Sequence, residues 1–296
     1  MKKEILNKYS KKIYSQFGED GIILEILNRL GSQNLDNWCV EFGARDGMSD
    51  SNTFNLIKNH NYNAVLIEGD KNYFKKLCKN LPQKEVIKIN KFVNFSGDDN
   101  LDRILETTSI PKNFDVLSID IDGCDFYIFQ SLANYRPKLV CLEFNHLIPN
   151  SVEFVQKKSF KIKQGSSGKS LVKLAHEKRY ELVASSLTNL FFIEQTYIDK
   201  IIKEKITLDD LIDDNDIKNF IFCGYDGTLH TTKPLRLGWH KLEIKNEKIQ
   251  ILPKFLRYFP DDYNLFQKIF FLLIREIIQP GRFIKKIFKK KKLIST

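Results

Sequence analysis

Residues 38–47, WCVEFGARDG, decide the fold of this chain. An apolar run ends in an acid, Glu41, and is followed by Gly43, Gly47 and a helix-like stretch. An apolar strand that turns through glycines into a helix is typical of the ligand crevice in doubly wound α/β domains. The second glycine of the dinucleotide fingerprint is missing, so the pattern favours a ligand without a pyrophosphate.

Strands alternate with helices beyond this stretch. Apolar runs that predict strands lie at 64–67, 86–93, 116–121 and 139–142, with helix-like segments between them. The alternation predicts an α/β fold with a doubly wound, mostly parallel sheet and helices on both faces. In such sheets ligands bind at the carboxyl ends of the strands. We therefore expect a group of strand-end acids to meet on one rim, namely Glu41, Glu68, Asp120, Asp122 and Glu143.

The 296 residues carry a formal charge of +10, which is unevenly distributed. From Asn264 onward there are nine basic residues and one acid, so the basic character belongs to the tail and does not by itself indicate nucleic-acid binding. The five cysteines form no CxxC pair, which argues against a disulfide framework or a zinc knuckle. No secretion signal and no apolar run of membrane-spanning length is present, so we expect a cytoplasmic protein.

Changes in composition along the sequence predict that the chain has three parts. Residues 1–198 hold the α/β pattern, which ends in two short strands expected to form an antiparallel hairpin at the sheet edge. Residues 199–263 form a C-terminal extension with possible acceptor contacts, and residues 264–296 a basic amphipathic tail. Residues 150–170 contain many lysines and a Gly-Ser-Ser-Gly sequence, which predict an exposed, mobile loop.

Six stretches between residues 14 and 193 carry a more specific signal through their order. They are YSQFGEDGIILEIL, CVEFGARDGMSDSNTFNLI, VLIEGDKNYFKKL, FDVLSIDIDGCDFYIFQSL, PKLVCLEFNH and GKSLVKLAHEKRYELVASSLTNLFFI. In this order they resemble class I methyltransferases that use S-adenosyl-L-methionine (SAM), and most closely the FkbM-type branch associated with bacterial surface polysaccharides. The resemblance implies a SAM-dependent O-methyltransferase that acts on a hydroxyl group, as in a sugar of a surface glycan.

The resemblance also implies which residues contact the cofactor. Glu68 has the length and charge to accept two hydrogen bonds from a ribose diol. Gly43 and Gly47 let the backbone approach the methionine part, whose ammonium group Glu41 and Asp120 can meet.

Two further cofactor contacts are expected outside the strand ends. Gln16 lies in a segment that resembles one folding over the cofactor, and Asn94 offers an amide near the adenine at residues 92–95.

Methyl transfer requires the acceptor oxygen, the methyl carbon and the sulfur to lie in line, and the acceptor must lose its proton. His146 is the best candidate for the general base, with Asp122 as a second catalytic residue. Mg²⁺ or Mn²⁺ would acidify a sugar hydroxyl, and hard oxygen ligands for such an ion are present at two strand ends, in Asp120, Asp122, Glu143 and Asn145. Alternatively, Asp122 caps the following helix and Asp120 serves the cofactor.

The tail and the Asp120-Ile121-Asp122 sequence leave alternatives open. Apolar residues on one side and lysines on the other predict a peripheral membrane contact at the inner face of the membrane, which suits a glycolipid acceptor; a docked helix with a solvated lysine end is the other interpretation. We expect no nucleic-acid partner, because stacking residues do not interleave with the basic run. Two alternatives to a methyltransferase remain. One is a metal-dependent glycosyltransferase that uses the Asp120-Ile121-Asp122 sequence, and the other is a membrane-tethered SAM-binding protein without turnover.

Overall fold

The computed structural model of the protein describes residues 3–121 and 123–281. The chain divides into two compact units, and the second begins at Lys218. The helices and strands of the first unit, in chain order, are α1 (Glu19–Leu30), β1 (Trp38–Phe42), α2 (Phe54–Asn59), β2 (Asn63–Ile67), α3 (Lys71–Asn80), β3 (Val86–Ile89), α4 (Leu101–Glu106), β4 (Val116–Ile119), α5 (Asp125–Ser131), β5 (Leu139–Glu143), α6 (Gly168–Glu177), β6 (Tyr180–Ser185), β7 (Asn189–Glu194), α7 (Ile198–Ile201) and α8 (Leu208–Leu211).

These strands form one seven-stranded sheet in the order β3-β2-β1-β4-β5-β7-β6. Strands β1 to β5 are parallel, whereas β7 runs antiparallel to both β5 and β6. The strand order reverses between β1 and β4, which is where a crevice opens in doubly wound sheets. The structure confirms the predicted doubly wound, mostly parallel fold, and the final hairpin is antiparallel as expected, with β6 at the edge.

Alternate residues of each central strand pack into different apolar layers. Cys39 of β1 joins the layer that contains α1, α2 and α3, while Val40 and Phe42 join the layer that contains α4, α5 and α6. Strands buried on both faces have few positions for polar residues, which explains the nearly continuous apolar runs in the sequence. Polar chemistry is therefore confined to the strand ends.

The first unit extends to Ile217, beyond the predicted boundary at residue 198. Ile201 and Ile206 are buried in the layer with α1, and Leu208 is buried in the opposite layer. These contacts join residues 199–217 to the first unit.

A buried ion-pair cluster lies where β4 and β5 begin. Lys138, which is 3% exposed at its side chain, contacts Asp115 Oδ1 at 2.7 Å and Asp36 Oδ2 at 2.5 Å. Asp115 also accepts hydrogen bonds from the backbone amides of Asp36 and Asn37. Although burial alone would lower it, the pKa of Lys138 is raised by its bonds to the two carboxylates.

The second unit contains two short hairpins and one longer helix. Strands β8 (Ile221–Cys223) and β9 (Leu229–Thr231) pair, as do β10 (Leu235–Leu237) and β11 (Leu242–Ile244), and α9 spans Leu265–Ile278. Asn264 and Gln267 form a capping box at the start of α9, and no residue of this helix is buried. Within the described part of the chain, no helix has both the length and the apolarity to cross a membrane. The basic end of the tail, residues 282–296, lies outside the described residues.

Candidate active site

Four residues from adjacent parallel strands stand side by side at the carboxyl edge of the sheet. Phe42 pairs with Ile67 on one side and with Ile119 on the other, and Ile119 pairs with Leu142. The next residue in each strand therefore belongs to a common row, which we call the strand-end row: Gly43, Glu68, Asp120 and Glu143. The structure thus brings together three of the acids expected on one rim, beside the point where the strand order reverses.

Gly43 is required by the close approach of two chain segments in this row. Its φ is +75°, and an added Cβ would lie 2.2 Å from the carbonyl oxygen of Asp120. The backbone N–H groups of Gly43 and Ala44 both donate to the carbonyl of Ile67. Gly43 therefore lets the turn after β1 pack directly against the end of β4, and leaves the backbone uncovered at the crevice.

Gly47 has a different neighbourhood. Its φ is +79°, and an added Cβ would lie 2.4 Å from Leu77 Cδ1 and 2.8 Å from Leu81 Cδ1. The absence of a side chain is explained by packing against α3 and the residue after it. Its role toward the methionine part of a cofactor stays a prediction.

Glu68 links two loops at the carboxyl edge. One carboxylate oxygen accepts a hydrogen bond from the backbone amide of Arg45 at 2.7 Å, and the other accepts from Asp70 at 2.6 Å. The side chain is 7% exposed. Each carboxylate oxygen has capacity for further hydrogen bonds, so the position leaves Glu68 able to accept from a ligand hydroxyl.

Glu41 lies two residues before the strand-end row and is buried. Ser51 Oγ and Thr53 Oγ1 donate to Oε2 at 2.6 and 2.7 Å, and the backbone amide of Asn52 donates to Oε1 at 2.9 Å. Burial raises the pKa of Glu41, and these hydrogen bonds oppose the increase. The carboxylate fixes the loop that leads into α2, whereas its predicted contact with an ammonium group stays a prediction.

Asp125 is a site residue that the sequence analysis missed. It is 3% exposed, and it accepts hydrogen bonds from the backbone amides of Ile121 at 3.0 Å and Gly123 at 2.9 Å. Burial, together with the nearby charge of Asp120, raises the pKa of Asp125 to about 7. Asp125 thus shapes the turn after β4 and couples electrostatically to the strand-end row. Asp122, predicted as a catalytic residue and metal ligand, lies outside the described residues.

The segment that carries Gln16 is fixed beside the loop after β1. Asp20 Oδ2 accepts four hydrogen bonds, from the backbone amides of residues 13–15 and from Ser15 Oγ. Ser15 forms a parallel bridge with Asp50, so the exposed Gln16 follows a residue tied to that loop. Glu19 accepts from Ser186 Oγ at 2.6 Å and thereby anchors the segment to the β6–β7 turn. The sequence showed the two acids but not their partners, which are remote in the chain.

Asn94 lies in the connection between β3 and α4. It bridges to Asn100, and its own Oδ1 accepts from the backbone amide of Phe95. Nearby, Phe92 is 76% exposed, and its ring lies against the α-carbon of Gly69, where an added Cβ would be 2.3 Å from it. An exposed ring next to the residue after Glu68 offers a surface on which a planar group can stack. The predicted adenine contact of Asn94 is untested.

The residues after β5 combine structural and exposed groups. Asn145 Nδ2 donates to the carbonyl of Gln164 at 2.7 Å, and its Oδ1 accepts from the amide of Leu147 at 2.9 Å. His146 is half-buried and has no hydrogen-bond partner among the described residues; burial lowers its pKa. The neutral imidazole is the form that can accept a proton.

The predicted metal site is not assembled by the described side chains. In residues 3–121 and 123–281, no group of three or more His, Cys, Asp or Glu side chains could hold a metal ion. Asp120 and Glu143 belong to the strand-end row, while Asn145 uses its amide oxygen to hold the following turn. Asp122, the fourth residue of the predicted set, lies outside the described residues, so the metal site stays a prediction.

A surface cavity of about 610 Å³ opens at the opposite edge of the sheet. It is lined by Arg136, Arg179, Glu194, Gln195 and Thr196, and Arg136 pairs with Glu194 at 2.8 Å. The backbone N–H of Glu194 donates to the backbone carbonyl of Lys138, which directly precedes β5. The cavity thus lies at the amino end of that strand. It is therefore separate from the strand-end row.

No protein-family model and no curated protein matches the chain. Among solved structures, the chain is similar to the N-terminal domain of EvdMO1, solved in the presence of S-adenosylhomocysteine (SAH) and D-fucose, with 9% identity, a TM-score of 0.34 and coverage of 53% of this chain and 73% of that one. The glycopeptide N-methyltransferase MtfA, complexed with SAH, is 10% identical, with a TM-score of 0.37 and coverage of 63% and 93%. TrmK of M. capricolum, also with SAH, is 13% identical, with a TM-score of 0.33 and coverage of 57% and 67%.

Proposed function

We propose that this chain is a SAM-dependent O-methyltransferase of the FkbM type that methylates a hydroxyl group of a sugar in a bacterial surface glycan. The observation that carries the proposal is the strand-end row, in which Gly43, Glu68 and Asp120 come from three adjacent strands at the topological switch point. A bare backbone, an acid for a ribose and an acid for an ammonium group are what a sulfonium nucleoside requires of a binding site.

The residues present fit the cofactor chemically. Glu68 is held by two backbone amides and retains lone pairs for the ribose hydroxyls. Asp120 is the neighbour of Gly43 in the strand-end row, and its carboxylate would attract the methionine ammonium group. When bound, SAM supplies an electrophilic methyl group on a positively charged sulfur. The acids of the row favour a ligand of that charge.

The surrounding loops hold the groups in place. Glu41 fixes residues 51–53 from inside the sheet edge, and Asp20 fixes residues 13–15. Methyl transfer depends on alignment to within a fraction of an ångström, so buried carboxylates that restrain loops serve the reaction by orientation. Gln16 follows this restrained segment, which supports its proposed role in covering the cofactor.

We assign proton removal to His146. The half-buried imidazole has a lowered pKa and is therefore neutral at physiological pH, which suits a general base. His146→Gln should lower kcat while leaving the affinity for SAH unchanged. Adding EDTA to the same transfer assay tests the metal hypothesis for Asp120, Asp122, Glu143 and Asn145; lost activity that Mg²⁺ or Mn²⁺ restores would support it.

We also propose that the protein acts at a membrane surface. Leu265, Ile277 and their apolar neighbours on α9 are exposed, and the following sequence is rich in lysine. Apolar side chains beside basic residues favour contact with anionic lipid headgroups. A lipid-linked glycan would suit an enzyme that is held at such a surface.

Isothermal calorimetry on the full chain tests the function directly. Micromolar binding of SAH supports the proposal, and binding of UDP with Mn²⁺ in its place would support a glycosyltransferase. Loss of a methyl-sized mass from the surface glycan of cells lacking the protein would identify the reaction. SAH binding without that change in any glycan would support a binding protein without turnover.

A further inference from the structure

Residues 154–167, which we call the Gln156 loop, are fixed at the carboxyl edge of the sheet. The sequence predicted an exposed, mobile loop, and the exposure is wrong for Gln156, Ser166 and Ser167, which are buried. The Gln156 side chain is fully buried; its Oε1 accepts from the backbone amides of Gln164 and Gly165, and its Nε2 donates to the carbonyl of Ile162. One buried amide thus ties the outgoing leg of the loop to the returning leg.

Both legs are also attached to the ends of β4 and β5. Gln156 Nε2 contacts Cys124 Sγ at 3.2 Å, and Tyr127 Oη donates to the carbonyl of Gln156 at 2.7 Å. On the other side, Asn145 binds the carbonyls of Gln164 and Ser166. The Gln156 loop is therefore fastened to the turn that follows Asp120 and to Asn145, which precedes His146 in the chain.

Aromatic packing supports the exposed part of the loop. The rings of Phe160 and Phe95 stack with centroids 4.3 Å apart and an interplanar angle of 1°. Lys158 Nζ lies 5.0 Å from the centroid of Phe95 and 5.5 Å from that of Tyr127. These contacts hold the loop against the β3–α4 connection and against α5, so its lysines project from a supported surface.

The charge of this supported surface is one-sided. The Gln156 loop, residues 154–167, contains four lysines and no acid. Lys157, Lys158 and Lys161 are exposed, and none of them has an ion-pair partner among the described residues. The strand-end row, by contrast, is acidic. The crevice thus presents negative charge to the cofactor and positive charge to the molecule that binds opposite the cofactor.

We infer that the acceptor carries an anionic phosphate group, which Lys157, Lys158 and Lys161 of the Gln156 loop bind while His146 faces the hydroxyl to be methylated. The inference rests on the proposed function, because it takes the phosphate-bearing molecule to be the methyl acceptor. Complementary charge raises the local concentration of such a substrate and fixes its orientation. An RNA partner is less suited, because the aromatic rings are occupied by each other and by Lys158.

Pyrophosphate binding, measured by calorimetry with and without saturating SAH, tests the inference. We expect the triple variant Lys157→Glu, Lys158→Glu, Lys161→Glu to bind pyrophosphate at least about tenfold more weakly than the wild type, with unchanged affinity for SAH. The matched control is Lys200→Glu, Lys203→Glu, Lys205→Glu, which makes the same charge change at exposed positions outside the loop and should bind pyrophosphate as the wild type does.

Four outcomes would overturn the inference. The first is that the wild type binds no pyrophosphate, and the second is that the control variant loses as much pyrophosphate binding as the loop variant. The third is that the loop variant loses binding to phosphatidylglycerol vesicles while it still binds pyrophosphate, and the fourth is that the wild type binds a single-stranded oligonucleotide more tightly than pyrophosphate through the loop lysines. The first two remove the anion site, and the last two assign the lysines to a lipid surface or to RNA. A wild-type protein that binds no SAH contradicts the proposed methyl transfer instead, whatever the loop binds.

Discussion

The α-carbon of Gly43 lies so close to the carbonyl of Asp120 that an added Cβ would stand 2.2 Å from that oxygen. We expect Gly43→Ala to destabilise the protein and to abolish SAH binding, because the turn after β1 and the end of β4 must separate. Gly97→Ala is the control, since Gly97 has a similar φ of +79° but no atom within 4 Å of an added Cβ. It should lose only about 1 kcal/mol from backbone strain. Urea unfolding and calorimetry measure both effects, and equal losses would contradict this account.

Glu68→Gln should remove the preference for ribose hydroxyls. The wild type should bind SAH about tenfold more tightly than its 2′,3′-dideoxy analogue, because a carboxylate accepts strong hydrogen bonds from the diol. In the variant the two affinities should become similar. Glu106→Gln, which makes the same chemical change on the surface of α4, should keep the full difference. An unchanged ratio in Glu68→Gln would exclude the ribose contact.

Asp125 should make the stability of the protein depend on pH. Its folded pKa of about 7 lies above the ordinary value of 3.8, so the native state favours the protonated carboxyl. The stabilisation is fully present below pH 3.8 and is lost as the pH rises toward and through 7. The melting temperature of the wild type should therefore exceed that of Asp125→Asn by the largest margin at low pH. A difference that grows with pH would contradict the raised pKa.

Gln156→Ala should free the loop without disturbing the sheet. Loss of the amide removes the hydrogen bonds to residues 162, 164 and 165, so hydrogen exchange at the backbone amides of Gln164 and Gly165 should accelerate. SAH affinity should stay the same. Gln164→Ala is a matched control in the same loop, because only the backbone of Gln164 takes part in these bonds. Equal exchange rates in the two variants would show that Gln156 is not the anchor.

Lys138→Met should be severely destabilising, by about 3–5 kcal/mol, because it leaves the buried carboxylate of Asp115 without its cation. Lys173→Ala, which breaks an exposed pair with Glu153, should change the stability far less. The raised pKa of Lys138 implies stabilisation that is complete below pH 10.5 and disappears as the pH rises through the folded value. Urea titrations at neutral and alkaline pH check both statements, and a mild loss in Lys138→Met would refute the first.

The fold could be predicted because its signal is local. Each buried strand is a short apolar run, and each run ends in a polar residue at the carboxyl edge, so Glu68, Asp120 and Glu143 could be expected on one rim before their register was known. Glu41 was expected there too, but it lies two residues before the strand-end row. Parallel strands make that inference reliable, since equal strand ends lie at one edge.

The restraints on the site could not be predicted, because they join residues that are distant in sequence. Asp20 and Glu19 read as ordinary helix-start acids, yet one collects four hydrogen bonds and the other reaches Ser186. Gln156 lies in a lysine-rich stretch whose composition indicates solvent exposure. Nothing in the local sequence distinguishes a buried amide from an exposed one there.

The attachment of the Gln156 loop has an evolutionary consequence. Its two ends are fastened by Gln156 and Asn145, so substitutions at residues 157–161 leave the fastening intact. Selection can therefore vary the charge of this surface through a handful of substitutions without releasing the loop from the carboxyl edge of the sheet.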